Sequence, residues 1–114
     1  MKVRRVFERR ESVLQADVSD AATGEVVGLL TDISSGGMML RTEAPLPRGD
    51  QRRLRVELPA ADQRSGQLVV EAAVRWCEPD LDPSAYLVGF EFRGLTPPGC
   101  VVVDEIRRRL GQAR

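Results

Sequence analysis

Apolar and polar residues alternate with a period of two over much of this chain, and glycine, proline and aspartate break the alternation at short intervals. In residues 52–58, Leu54, Val56 and Leu58 fall on one side of an extended backbone, and Arg53, Arg55 and Glu57 on the other. That pattern predicts a strand with one wet face. Residues 85–93 repeat it, with Val88, Phe90 and Phe92 opposite Glu91 and Arg93. Residues 67–77 form the longest apolar run and the longest predicted strand. A weaker alternation through Val13, Leu14, Ala16 and Val18 predicts a strand over 13–19. Another is expected over 25–33, where Val26, Gly28 and Leu30 can share a face and Gly28 marks a bulge or a close approach. Residues 38–42 resume as a short strand. Residues 20–24 suit a hairpin turn, and 43–50, 59–66 and 78–84 suit loops.

The period changes near the end. Val102, Ile106 and Leu110 recur every four residues, which predicts a helix over 101–110 with Arg107, Arg108 and Arg109 facing water. Thr96 can cap it, with Pro97 in its first turn. The three arginines suit the negative end of the helix dipole. Six strands without crossover helices, followed by one helix, are solved most economically by an antiparallel barrel, because closure hides the strand edges. The predicted organisation is an arginine-rich arm over 1–12, a barrel over 13–96 and a helix over 97–110.

Composition narrows the function. The 114 residues suit one domain, and an apolar share of 42% suits a folded one. No apolar run is long enough to span a membrane and no signal-peptide pattern is present, so a cytoplasmic location is expected. Cys77 and Cys100 are too few for a disulfide scaffold and read as reduced, partly buried thiols. Two cysteines without any histidine are poor material for a zinc site, so no metal is expected. The lack of histidine also removes the usual catalytic base, and neither cysteine has an evident activator. Enzymatic activity is not expected.

Net charge is zero, but its distribution is uneven. Lys2, Arg4, Arg5, Arg9 and Arg10 face only Glu8 within the first ten residues, and the remainder is net negative. A general nucleic-acid binder wants a broad basic face, so this asymmetry suits a small anion gripped at one place; a solubilising terminus is the plainer alternative. Single-strand binding would also need exposed aromatics. Of Phe7, Trp76, Tyr86, Phe90 and Phe92, most read more simply as core.

Two short motifs carry the candidate chemistry. Asp32 and Ser34, in DISSGG, are two residues apart and so face one side of an extended segment. A carboxylate that accepts and a hydroxyl that donates or accepts can read a ring edge bearing N–H groups, such as that of guanine. Gly36 and Gly37 let a ligand approach the backbone. The alternative is that Asp32 and Ser34 satisfy their own turn. Arg5 and Arg9, spaced four apart, can reach one ligand from either a helix or an extended arm, bridging phosphate or guanine bidentately. Arg4 and Arg10 flank them.

Together the motifs resemble the PilZ domain family, whose binding signature is R-x-x-x-R followed, after a strand pair, by D/N-x-S-x-x-G. Arg5 and Arg9 match the first motif; Asp32, Ser34 and Gly37 match the second. The resemblance extends over residues 54–58, 74–76, 89–92 and the final helix. It implies a six-stranded antiparallel barrel with a C-terminal helix, and the ligand cyclic di-GMP. Arg5 and Arg9 would grip phosphates and guanine, Asp32 and Ser34 would read a guanine edge, and Gly37 would keep the wall clear. Arg4, Arg10 and Met38 would be extra contacts. A lone receptor domain of this kind would signal by changing a surface for a protein partner. The alternative within the family is an adaptor for pilus or flagellar assembly that binds no nucleotide.

Overall fold

A computed structural model describes residues 16–57 and 67–112. β1 (Asp17–Asp20) turns into β2 (Val26–Ile33) through a hairpin that Asp20 organises. Its Oδ1 accepts the Ala22 N–H at 2.8 Å, its carbonyl accepts the Gly24 N–H at 2.7 Å, and Gly24 takes a φ of 83°. β3 (Gly37–Thr42), β4 (Gln51–Glu57), β5 (Gln67–Pro79) and β6 (Tyr86–Arg93) follow, and α1 (Pro97–Gln112) ends the chain. Every strand pairing is antiparallel, and the order β1-β2-β3-β6-β5-β4 closes on itself through β4 and β1. The six-stranded barrel with a C-terminal helix is as the alternation predicts.

The inward positions fill the barrel. Val18, Leu40, Leu54, Val56 and Val88 are fully buried, with Ile33, Met38, Phe90 and Phe92 among them. Burying such side chains is worth roughly 1.5–3 kcal/mol each, which is how a chain of this size offsets its ordering entropy. Register shifts change the parity expected from the sequence. One lies between Val18 and Ser19, where β1 pairs successively with Gly28 and Val26. The extra residue, Val27, packs against the core, and Val26 turns out to solvent at 53% exposure instead of sharing the face of Gly28 and Leu30. Gly28 is also a close approach, since a Cβ there would lie 2.5 Å from the Arg41 carbonyl oxygen.

α1 begins four residues earlier than its apolar period suggests. Thr96 Oγ1 accepts the Gly99 N–H at 3.2 Å, so Thr96 caps the helix and Pro97 occupies its first position. Val103 and Ile106 are fully buried, and Val102 packs beside them. Arg107 and Arg108 are exposed as expected, whereas Arg109 is sheltered and bonds Glu105 at 3.0 Å. The helix contacts β2 and β5. These strands are opposite each other in the barrel order, so α1 lies across one mouth. That mouth is where β2 and β6 end and where β1 and β3 begin. The Asp32–Gly37 loop, the helix and the point at which the preceding chain joins β1 therefore converge at one end of the barrel.

Candidate functional site

The site is built around a second register shift. Leu30 pairs with Leu40, but Asp32 pairs with Met39, so two steps along β2 oppose one along β3. Without that bulge Asp32 would follow Gly28 and Leu30 into the core. With it, Asp32 faces solvent and Ile33 is buried at 2% exposure. Ser34, two residues on, is exposed beside Asp32. The bulge thus delivers the carboxylate and hydroxyl to the outer surface together.

Both side chains are engaged in part by their own loop. Asp32 Oδ1 accepts the Ile33 N–H at 3.0 Å, and Ser34 Oγ accepts the Gly36 N–H at 3.3 Å. The Ser34 N–H donates to the Gly37 carbonyl at 2.8 Å, and the Phe92 N–H to the Gly36 carbonyl at 3.0 Å, which fixes the loop to β6. Among the described residues nothing is bonded to Asp32 Oδ2 and no cation pairs with Asp32. The loop is therefore self-supporting while keeping an outward acceptor and the Ser34 hydroxyl proton. Gly37 is required by packing: a Cβ there would lie 2.0 Å from the Phe90 carbonyl oxygen.

A third shift completes the site. Val74 pairs with Phe90 and Trp76 with Gly89, leaving Arg75 unpaired between them. Both Arg75 and Trp76 consequently face outward. Trp76 is 40% exposed, against the expectation that it is core. Its ring lies over Gly89, where a Cβ would come within 2.3 Å of Cε2 and Nε1. Gly89 pairs in turn with Met39, and Met39 with Asp32. The outer row Asp32–Met39–Gly89–Trp76 forms an open cleft of about 260 Å³, lined by Asp32, Ser34, Gly37, Met39 and Trp76. A carboxylate and a hydroxyl stand on one side and an indole on the other. This suits a flat ring with donors on its edge.

Met38 also borders the cleft, but its side chain is in the core at 5% exposure, so only its backbone is available to a ligand. Arg4, Arg5, Arg9 and Arg10 lie outside the described residues. The chain joins the barrel at Ala16, whose carbonyl accepts the Leu30 N–H at 3.0 Å, two residues from Asp32. Arg9 stands seven residues before that point, a span of at most about 25 Å. Sequence reading missed Trp76 as a site residue. The available signal was its place at the end of a strand beside an arginine; the register that exposes it is not local.

A family model described as the PilZ domain matches residues 3–110. The chain belongs to the PilZ family. PilZ domains are not enzymes. Two solved structures share the fold. One is that of the Bacillus subtilis inhibitor of motility (MotI/DgrA), at 23% identity and a TM-score of 0.64, with 90% of this chain and 49% of that chain covered. The other is the PilZ domain of YcgR from Escherichia coli with c-di-GMP, at 17% identity and a TM-score of 0.61, with 87% and 82% covered. The chain thus spans about half the length of the Bacillus protein. No curated protein matches significantly by sequence. Among the described residues no helix is long and apolar enough to cross a membrane, and no group of three or more His, Cys, Asp or Glu side chains is placed to hold a metal. Cys77 and Cys100 are free thiols, both partly buried.

Proposed function

We propose that this PilZ domain is a receptor for cyclic di-GMP, held between the arginine arm and the Asp32–Trp76 cleft. The observation that carries the reading is the outward pairing of Asp32 and Ser34 on a fixed loop, in a PilZ chain whose R-x-x-x-R motif precedes it within reach. Asp32 and Ser34 take a guanine edge, and Trp76 supplies a face on which a purine stacks. Arg5 and Arg9 bridge phosphate and guanine, with Arg4 and Arg10 beside them. Gly37 keeps the wall clear. Because the Asp32–Gly37 loop, α1 and the point where the chain enters β1 share one end of the barrel, closing the arm over the cleft alters the surface there, and that change is the signal to a partner protein in the cytoplasm.

Trp76 is the single tryptophan, so its emission reports the cleft directly. Adding cyclic di-GMP should change that emission saturably, and Asp32→Asn should abolish the response while leaving the unliganded spectrum unchanged. An emission that is indifferent to the nucleotide, or a response retained in full by Asp32→Asn, overturns the reading.

A further inference from the structure

The cleft is smaller than the roughly 300–1,000 Å³ usual for a ligand pocket, so a molecule with two purines and two phosphates must extend beyond it. One row further along the barrel, Gly37 pairs with Glu91, whose carboxylate accepts from Arg75 Nη1 at 2.8 Å. The rim of the cleft on that side therefore runs from Gly37 to Glu91 to Arg75, ending beside Trp76. On the opposite side the corresponding arginine, Arg41, is half-buried and anchored to Asp80 at 3.2 Å.

We infer that Arg75 is an additional anion-binding arginine of this site, which leaves Glu91 for a phosphate of the bound nucleotide. The inference rests on the receptor reading above. Its first support is the bulge. Strict alternation would turn one of Arg75 and Trp76 inward, and the shift between Val74 and Trp76 sends both outward, Trp76 lining the cleft and Arg75 adjoining it. The second is exposure. The side chains of Arg75 and Glu91 are 57% and 44% exposed, and ion pairs in that setting hold weakly. Arg75 is thus easily traded to a better acceptor, and a phosphate offers its planar fork a bidentate one. The third is charge. Glu91 stands next to the Gly37 wall along which an anionic ligand would pass; paired, it is neutralised, and bare, it repels. The pair makes the unliganded rim neutral and leaves a cation ready.

Titration of cyclic di-GMP into the wild type, Arg75→Ala, Glu91→Gln and the double variant, each at low and high salt, tests this. Arg75→Ala should weaken binding about tenfold, because the phosphate loses a charge-assisted partner and meets a bare carboxylate. Glu91→Gln should tighten it about threefold and steepen the salt dependence, since Arg75 is released. The double variant should bind better than Arg75→Ala. Thermal melts within about 2 °C of wild type should show that these exposed substitutions leave the barrel folded. If the wild type binds and Arg75→Ala binds equally well, this inference falls while the receptor reading stands. If the wild type binds no cyclic di-GMP, both fall.

Discussion

Alanine at Gly37 and alanine at Gly89 add the same methyl group to neighbouring strands and should have opposite consequences. At Gly37 the new Cβ meets the Phe90 carbonyl oxygen at 2.0 Å and the Glu91 Cα at 3.2 Å. Ordinary contact begins at 3.4 Å, so the β3 and β6 backbones must part by more than 1 Å. Those strands pair over six residues, and their hydrogen bonds cannot rotate away as a side chain can. Overpacking of this kind costs about 1–3 kcal/mol, and a backbone obstacle belongs at the upper end. For a domain of this length that is a fall in Tm on the order of 10 °C. At Gly89 the obstacle is the Trp76 ring, at 2.3 Å, and an indole on a 40% exposed side chain can swing outward. The loss of stability there should stay below about 1 kcal/mol, partly offset by the smaller chain entropy of alanine. The displaced ring should instead shift the tryptophan emission to the red and deprive the cleft of its wall. Urea denaturation followed by far-ultraviolet circular dichroism, with emission spectra of both variants, gives the comparison. A Gly89→Ala protein less stable than Gly37→Ala, or a Gly89→Ala spectrum identical to wild type, would refute the packing described here.

Ile106→Ala should destabilise by about 2–4 kcal/mol, since truncating a fully buried side chain on the inner face of α1 leaves a cavity, whereas Val101→Ala, at 68% exposure on the same helix, should stay within about 0.5 kcal/mol; denaturant midpoints decide. The backbone N–H and hydroxyl of Ser84 both donate to Asp82, at 2.9 and 2.7 Å, and hold its carboxyl below the ordinary aspartate value. Its favourable contribution is present above the unfolded value and is lost as pH falls through the lowered folded one. An NMR titration should find the midpoint low in wild type and raised in Ser84→Ala. Trp76→Ala should melt near wild type but bind cyclic di-GMP at least tenfold more weakly, the loss expected for one stacked base, and calorimetry reads both constants.

How much of this was legible in the sequence depended on whether a feature is local. The alternations through Leu54–Val56 and Val88–Phe92 mark their strands, and closure follows from the absence of crossover helices. The Thr96 cap and Pro97 mark the helix start better than the apolar period does, because Val101 is exposed and Pro97–Cys100 carry no periodic apolar signal. Parity shifts were not legible. Alternation puts Val26 on the face of Gly28 and Leu30, and the end of an apolar strand puts Trp76 in the core; both lie next to bulges, and although Gly28 hints at the first, only the partner strand sets the register. The D-x-S-x-x-G loop was readable as a motif, and the structure adds that Asp32 and Ser34 bond their own turn and still face outward. The turn reading and the ligand reading of these residues were posed as alternatives, and the geometry accommodates both. Trp76 escaped as a site residue because its position depends on pairing with Gly89, thirteen residues away and across a bulge.

The central claim is that one cyclic dinucleotide is recognised jointly by the arginine arm and the cleft. Calorimetric titration of cyclic di-GMP into the full chain, beside Arg9→Ala and with GTP as a control ligand, tests it most directly. The account predicts saturable binding to the wild type, loss in Arg9→Ala and no heat of binding with GTP. No binding to the wild type, or equal binding to wild type and Arg9→Ala, would contradict it.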